Sequence, residues 1–470
     1  MDAKNDAKQT AKTALLNTSA NIISLIVGMV MIPIITRILS TQEMGIATTF
    51  ISTRNTLAIV FVLATYSYVN KAMLEFKEEK RNYIFTIVSF CTLSCIVAFL
   101  ALSIFKEPLK QILSMDDFLF YWLFISCYVY AIYMIANSYC AFHNYYVKVA
   151  LMVLAVGTLC PIISGVLSYY IKDYRYIGRV VGVDCAYIMV TIITLGWLIF
   201  MPKKKWKNKY ITRTLKFTVP VMPHLLSQMV LTQCDLIMIS YFAGEEKTGI
   251  YSMGHTVGYL AFTVVLQIMV AWSPWVYRRM EEKQYNSVYH SSKLIILLGT
   301  YISLGLLTVS SELIQIFLTE AYKPCIFIVP PLVVAMHFQF IYLFFYDVEY
   351  YNKKANWIAI ASVAAAVLNL ILNWICIPRF GYMAACYTTV TSYLLLLVLN
   401  YLFCRKLEVK KIYDIRYILL WTAVVILYAA IMMVFHEQII LRYVLFVGLT
   451  IFIAAWKFKD FKQLLQSIKQ

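Results

Sequence analysis

Charge is scarce in this chain. Asp, Glu, Lys and Arg make up 14% of its 470 residues, whereas 61% are hydrophobic, a balance that excludes an ordinary soluble domain, where roughly a quarter of residues are charged. Acidic residues are scarcer than basic ones, 24 against 41. The 11 Cys contain no C-x-x-C pair, which removes the common zinc and thiol-redox motifs. Cys91 and Cys95 share a helix face, but no His or Asp beside them completes a metal site, and no metal is expected. There is no D-x-D motif and no long polar loop, so neither a glycosyltransferase metal site nor a separate catalytic domain has a place, and no enzymatic role is expected. A cleavable signal peptide is not expected either, because the first apolar run is full length and lacks a small-residue cleavage pattern.

What the chain does have is apolar sequence of bilayer length. A hydrocarbon core of about 30 Å takes roughly 20 helical residues at 1.5 Å each. On that basis the sequence predicts an all-α polytopic membrane protein of about fourteen transmembrane helices, near 14–35, 46–69, 83–105, 118–140, 147–170, 178–200, 212–241, 250–276, 292–318, 325–347, 356–377, 382–403, 415–435 and 441–457. The runs are continuously apolar instead of alternating, which excludes barrel strands. Most Lys and Arg fall on the side shared by both termini, which the positive-inside rule assigns to the cytoplasm. The net charge of +17 therefore calls for no nucleic acid. Its densest run, KKKWKNKYITR at 203–213, is expected to be a cytoplasmic loop against anionic headgroups.

The sequence also repeats. ILSTQEMGIATT (38–49) and YFAGEEKTGIYSM (241–253) both run from an apolar helix through an acidic turn to Gly-Ile. YYVKVA (145–150) matches YYNKKA (350–355), and Gly178 matches Gly381, at nearly the same offset. This predicts two parallel six-helix repeats, helices 1–6 and 7–12, followed by two C-terminal helices. The expected boundaries are an N-terminal lobe at 1–202, a basic linker at 203–211, a second lobe at 212–404, and helices 13–14 with a basic tail at 405–470. Transporters built from parallel repeats place their site between the halves. In the first turn, Gly45 is read as permitting a tight backbone reversal and Glu43 as favouring the next helix's N-terminal dipole.

The opening pattern N-T-S-A-N-I-I-S…P-I-I-T-R-I-L-S-T-Q-E-M-G-I resembles that of bacterial polysaccharide-unit flippases, the O-antigen and related oligosaccharide-lipid transporters of the multidrug/oligosaccharidyl-lipid/polysaccharide (MOP) superfamily. The resemblance implies a plasma (inner) membrane flippase that carries undecaprenyl-pyrophosphate-linked oligosaccharide repeat units to the outer leaflet by alternating access, for O-antigen, capsule or exopolysaccharide synthesis. It implies a polymerase and a chain-length regulator as partners beside the lipid bilayer, no nucleic acid and no cofactor, with coupling to a proton or sodium gradient left open. A multidrug or organic-cation antiporter of the same superfamily and a lipid II flippase are the alternatives.

A diphosphate crossing hydrocarbon needs cations, and an ionisable residue deep in a span marks a functional site. Arg54, His255 and Arg37 are the candidates. Arg54 faces a cavity or pairs with Asp184 or Asp235; His255, in the repeat mate of helix 2, is a ligand or a neutral core residue. Arg37 leans into the cavity mouth or snorkels to the interface. Asp235 and Asp184 are candidate coupling sites or counter-ions, His224 and Gln228 candidate cavity lining, and Pro33, Pro220 and Pro223 candidate hinges. Asp347 and Glu349 are read as a solvated helix end or a sugar contact. Tyr66, Tyr68, Tyr128 and Tyr133 are read as interfacial or as stacking on sugar rings.

Overall fold

The computed structural model describes residues 2–202, 204–407 and 412–468, and among them the chain is helical with no strand. Backbone inside hydrocarbon must satisfy its own hydrogen bonds, so each apolar run becomes helix. The helices are α1 (Asp2–Ile38), α2 (Thr41–Phe61), α3 (Val69–Glu75), α4 (Lys80–Ser103), α5 (Lys106–Leu113), α6 (Asp117–Phe142), α7 (Tyr146–Leu154), α8 (Cys160–Tyr170) and α9 (Arg175–Ile199). They continue as α10 (Asn208–Ala243), α11 (Glu245–Glu281), α12 (Tyr285–Phe317), α13 (Val329–Tyr351), α14 (Ala355–Phe380), α15 (Ala384–Arg405), α16 (Ile415–Val434) and α17 (Ile439–Ile468). Among the described residues twelve spans are long and apolar enough to cross a bilayer, α7 and α8 counting as one; α2 and α3 together make a bent thirteenth, and Ile439–Ala455 is a shorter apolar helix. Every one of the fourteen expected runs is thus occupied by helix.

Two of them are not regular. The second expected helix breaks after Phe61 and turns through 61°, with Leu63 and Ala64 at φ of 49° and 53°. Left-handed backbone is unfavourable for residues with a Cβ; here Val62, Ala64 and Thr65 are fully buried, and the Thr65 hydroxyl lies 3.1 Å from Cys91 Sγ. The fifth contains a π-helical turn at Ala155–Leu159. Gly157 in that turn meets α1 so closely that a Cβ would fall 2.1 Å from Ser24 Cβ.

The chain forms two compact units. The first takes Met1–Ser252, Phe317–Tyr322 and Ala359–Thr388; its core gathers Phe50, Phe61, Tyr83, Phe120, Phe124 and Tyr210. The second takes Met253–Ile316, Lys323–Ile358 and Thr389–Gln470. Its central element is α13, which is 89% buried along its apolar window.

Gly45 does not reverse the chain. Ser40 caps α2 in a capping box with Glu43, as a negative charge at a helix start favours, and Gly45 lies inside the helix. A Cβ on Gly45 would sit 1.8 Å from the carbonyl oxygen of Glu245, and one on Gly249 would sit 1.8 Å from that of Thr41. The contact is reciprocal: residue 41 is to 245 as 45 is to 249. The repeat seen in the sequence is therefore also a symmetric crossing of α2 and α11 within the first unit.

The basic run is tied to the ends of α9 and α4. Lys204 Nζ donates to the carbonyls of Leu198 and Ile199 at the end of α9 (2.8 and 3.0 Å), where a cation suits the helix dipole. Lys205 N donates to Asn82 Oδ1 at 2.9 Å. Lys207, Lys209 and the Tyr210 hydroxyl converge on Glu79. Those donors hold the Glu79 carboxyl down to about 2. Three short-range partners on one acid clasp the segment to the start of α4.

Candidate functional site

Arg54 lies about 20 Å along α2 from Thr41, at 1.5 Å per residue. It is 3% exposed and its Nη1 donates to Asp184 Oδ1 of α9 at 2.6 Å. Nε and Nη2 donate to Asn55 Oδ1 at 3.2 and 3.0 Å. Tyr130 and Tyr187 present their rings to the guanidinium at 5.1 and 5.2 Å, and the other carboxylate oxygen of Asp184 accepts from Trp122 Nε1 at 2.9 Å. Of the two readings open for Arg54, the structure shows the pair with Asp184. A charge pair so enclosed is electrically neutral as it stands, and either partner becomes a binding charge once the other is displaced.

Asp235 sits elsewhere in the first unit, 4% exposed. Its carboxylate accepts from the Tyr251 hydroxyl at 2.8 Å and Asn373 Nδ2 at 2.7 Å. Asn373 also donates to Asn369 Oδ1 at 3.2 Å and accepts from the Thr388 hydroxyl. One carboxylate, two amides and two hydroxyls from α10, α11, α14 and α15 make an oxygen-rich set of the kind hard cations prefer. The sequence reading named Asp235 but missed its company. Asn369 and Asn373, four residues apart in an otherwise apolar run, were the available signal. Among the described residues no group of three or more His, Cys, Asp or Glu is placed to hold a metal.

The remaining candidates scatter. Arg37 is exposed and donates to the Pro33 carbonyl at 3.2 Å. Pro33, Pro220 and Pro223 all lie inside continuous helices. Gln228 Nε2 donates to Ser362 Oγ at 3.1 Å, and His224, one turn earlier on α10, has an enclosed Nδ1 without a partner. His255 stacks on Tyr259, centroids 5.6 Å apart, in the second unit. The offset from Gly45 to Gly249 pairs Arg54 with Gly258, so Arg54 and His255 are not at matching positions of the repeat. The cause is plain: Gly258 is packed on Leu332, its virtual Cβ 2.9 Å from Leu332 Cβ, leaving no room for a side chain.

Asp347 and Glu349 correct a second expectation. They are 1% and 0% exposed, not a solvated end, because α13 runs on to Tyr351 in the middle of its unit. Asp347 accepts from Ser273 Oγ at 3.0 Å and the Tyr277 hydroxyl at 2.9 Å. Among the described residues Glu349 has the Cys404 thiol, at 3.6 Å, on one oxygen and no partner on the other. Tyr68 and Tyr128 are engaged within the protein, with Glu75 and Thr92, and Tyr133 packs edge-on to Tyr187; Tyr66 is half-buried against the same core. Unforeseen altogether are Arg179 in α9 and His337 in α13, the latter 2% exposed with both ring nitrogens unpartnered.

Helices of this number and apolarity define a polytopic membrane protein, and solved structures share its fold. The lipid II flippase MurJ in an inward closed conformation superposes with a TM-score of 0.63 at 14% identity, over 92% of this chain and 100% of that one. A multidrug resistance MATE family transporter of the MOP superfamily, inward-facing, gives 0.65 at 10% identity over 85% and 98%. A MOP superfamily transporter from Pyrococcus furiosus, described as having a binding pocket of reverse polarity, gives 0.52 at 10% over 85% and 94%. This chain shares the fold of these three proteins. The profile of the polysaccharide biosynthesis protein family matches residues 10–280, more than half of the chain, and the protein belongs to that family. No curated protein matches the sequence.

Proposed function

We propose that this protein is a flippase that moves undecaprenyl-pyrophosphate-linked oligosaccharide units from the cytoplasmic to the outer leaflet of the bacterial plasma membrane, both of its termini being cytoplasmic. The observation that carries the reading is Arg54, a guanidinium deep in an apolar helix, flanked by two tyrosine rings, in a chain of a polysaccharide biosynthesis family. Transport by ion-pair exchange follows. A diphosphate displaces Asp184 from Arg54 and takes the guanidinium's planar fork, while Asp184 keeps its donor, Trp122. When the diphosphate leaves, the Arg54–Asp184 pair re-forms, so neither of these two charges is left bare in the unloaded protein. The oxygen set around Asp235 is the place at which a sodium ion or proton would bias that exchange. A polymerase and a chain-length regulator would receive the flipped unit.

The same pair also supports a second reading, because an organic cation would displace Arg54 and take Asp184, as suits an antiporter. One experiment separates them. Purified protein in liposomes is assayed for movement of a radiolabelled polyprenyl-pyrophosphate oligosaccharide and for efflux of a fluorescent organic cation. Glycolipid movement abolished by Arg54→Gln supports the flippase; cation efflux abolished by Asp184→Asn, without glycolipid movement, overturns it.

A further inference from the structure

Two arginines buried in apolar helices are neutralised by carboxylates, Arg54 by Asp184 and Arg442 by Glu312. Arg179, one turn into α9, is not. It is half-buried, its Nε is enclosed without a hydrogen-bonding partner, and among the described residues it forms no ion pair. The acids nearest in sequence or at the same helix ends are engaged elsewhere. Glu43 completes the cap of α2 and accepts from the Arg175 main-chain N–H at 3.1 Å. Asp116 caps α6 and accepts from the Tyr176 hydroxyl. Asp173, exposed in the turn before α9, makes no ion pair with Arg179.

The side chain is not what holds α9 in place. Gly178 and Gly182, on either side of Arg179, meet α8 so closely that a Cβ on either would fall 2.4 Å from backbone atoms of Ser168 and Ser164. The Arg179 carbonyl accepts from Ser164 Oγ at 3.1 Å, which fixes its main chain independently of the guanidinium. One turn earlier, Arg175 Nη1 donates to the Ile38 carbonyl at 2.6 Å, so the same end of the first unit carries Arg175 and Arg37 as well. An uncompensated guanidinium in a membrane-spanning helix is unfavourable, and it persists where an anion meets it.

We propose that Arg179, one turn into α9 and beside α8, is an anion subsite for a phosphate or diphosphate group. This rests on the flippase reading for the identity of the group, which is then the diphosphate of the lipid carrier. Free inorganic pyrophosphate presents the same chemistry to the guanidinium fork. The subsite is separate from Arg54, whose fork is occupied by Asp184 and Asn55.

The test uses the full chain in nanodiscs of zwitterionic lipid, so that no anionic headgroup competes. Inorganic pyrophosphate, and separately a polyprenyl diphosphate, are titrated by calorimetry into the wild type, Arg179→Gln and Arg179→Lys. We expect Arg179→Gln to weaken both ligands about tenfold or more and Arg179→Lys, which keeps the charge without the fork, to fall between. Without ligand, Arg179→Gln is expected to melt no lower than the wild type, because an unpaired buried charge is removed. Unchanged pyrophosphate binding in Arg179→Gln, absence of binding in the wild type, or a large loss of stability in Arg179→Gln would each overturn the subsite. Pyrophosphate binding lost in Arg179→Gln, in a wild type that moves no polyprenyl-diphosphate oligosaccharide, leaves the subsite standing and removes the flippase reading instead.

Discussion

The Arg54–Asp184 pair makes the sharpest stability prediction. Both groups are nearly fully buried and 2.6 Å apart. Asp184→Leu strands the guanidinium against Tyr130 and Tyr187 with only Asn55 as a neutral partner; Arg54→Met strands the carboxylate with only Trp122. Removing one member of a buried pair costs about 3–5 kcal/mol, because the remaining charge has neither water nor counter-charge. Replacing both with apolar side chains removes the whole desolvation cost and is expected to return stability to within about 1 kcal/mol of the wild type. A double-mutant cycle measured by reversible denaturation in mixed micelles reads the coupling directly. Two single variants each as stable as the wild type would refute the pair as a structural latch, and with it the exchange mechanism. A double variant as unstable as the singles would show instead that packing, not charge, holds α2 to α9.

Other consequences are open to direct measurement. Gly45→Ala and Gly249→Ala should each lower stability by about 1–3 kcal/mol through overpacking, whereas Gly196→Ala, with nothing within 4 Å, should not; equal effects at the three sites would remove the crossing. Glu79, lowered to about 2 from 4.5, stabilises the fold above its ordinary value, and that contribution is lost as the pH falls from there towards 2. Glu79→Gln should therefore show a flatter melting temperature than the wild type across that window. A sodium- or pH-dependent rise in melting temperature is expected for the wild type and not for Asp235→Asn; the same dependence in both would exclude Asp235 as the coupling site.

Much of the architecture was legible because a bilayer leaves so few choices. Helix length follows from the hydrocarbon thickness, and all fourteen runs were placed by it. The breaks were not legible: Leu63 and Ala64 are ordinary apolar residues, and what bends the chain there is burial against α4, which no local pattern records. Hydropathy also says nothing about facing, so Arg54 was found and its exact partner left open, while Arg179, only four residues beyond a span-starting Arg175, passed for part of a charged end. The likeness of residues 38–49 to 241–253 corresponds to the reciprocal contact at Gly45 and Gly249, yet Gly45 was given the wrong task. A glycine that admits another helix and a glycine that turns the chain look alike in one sequence.

The reciprocal contact of Gly45 and Gly249 also sets an order of assembly. During synthesis α2 enters the membrane with its tightest packing surface bare, since the main chain it must meet, at Glu245, has not yet been made. At about 5–20 residues per second, the intervening 200 or so residues take roughly 10–40 seconds. The first compact unit, which besides Met1–Ser252 takes Phe317–Tyr322 and Ala359–Thr388, cannot close before then. The earliest helices to be made are thus among the last to be seated, and for that interval a chaperone, the insertion machinery or surrounding lipid must occupy the face that the second copy will cover.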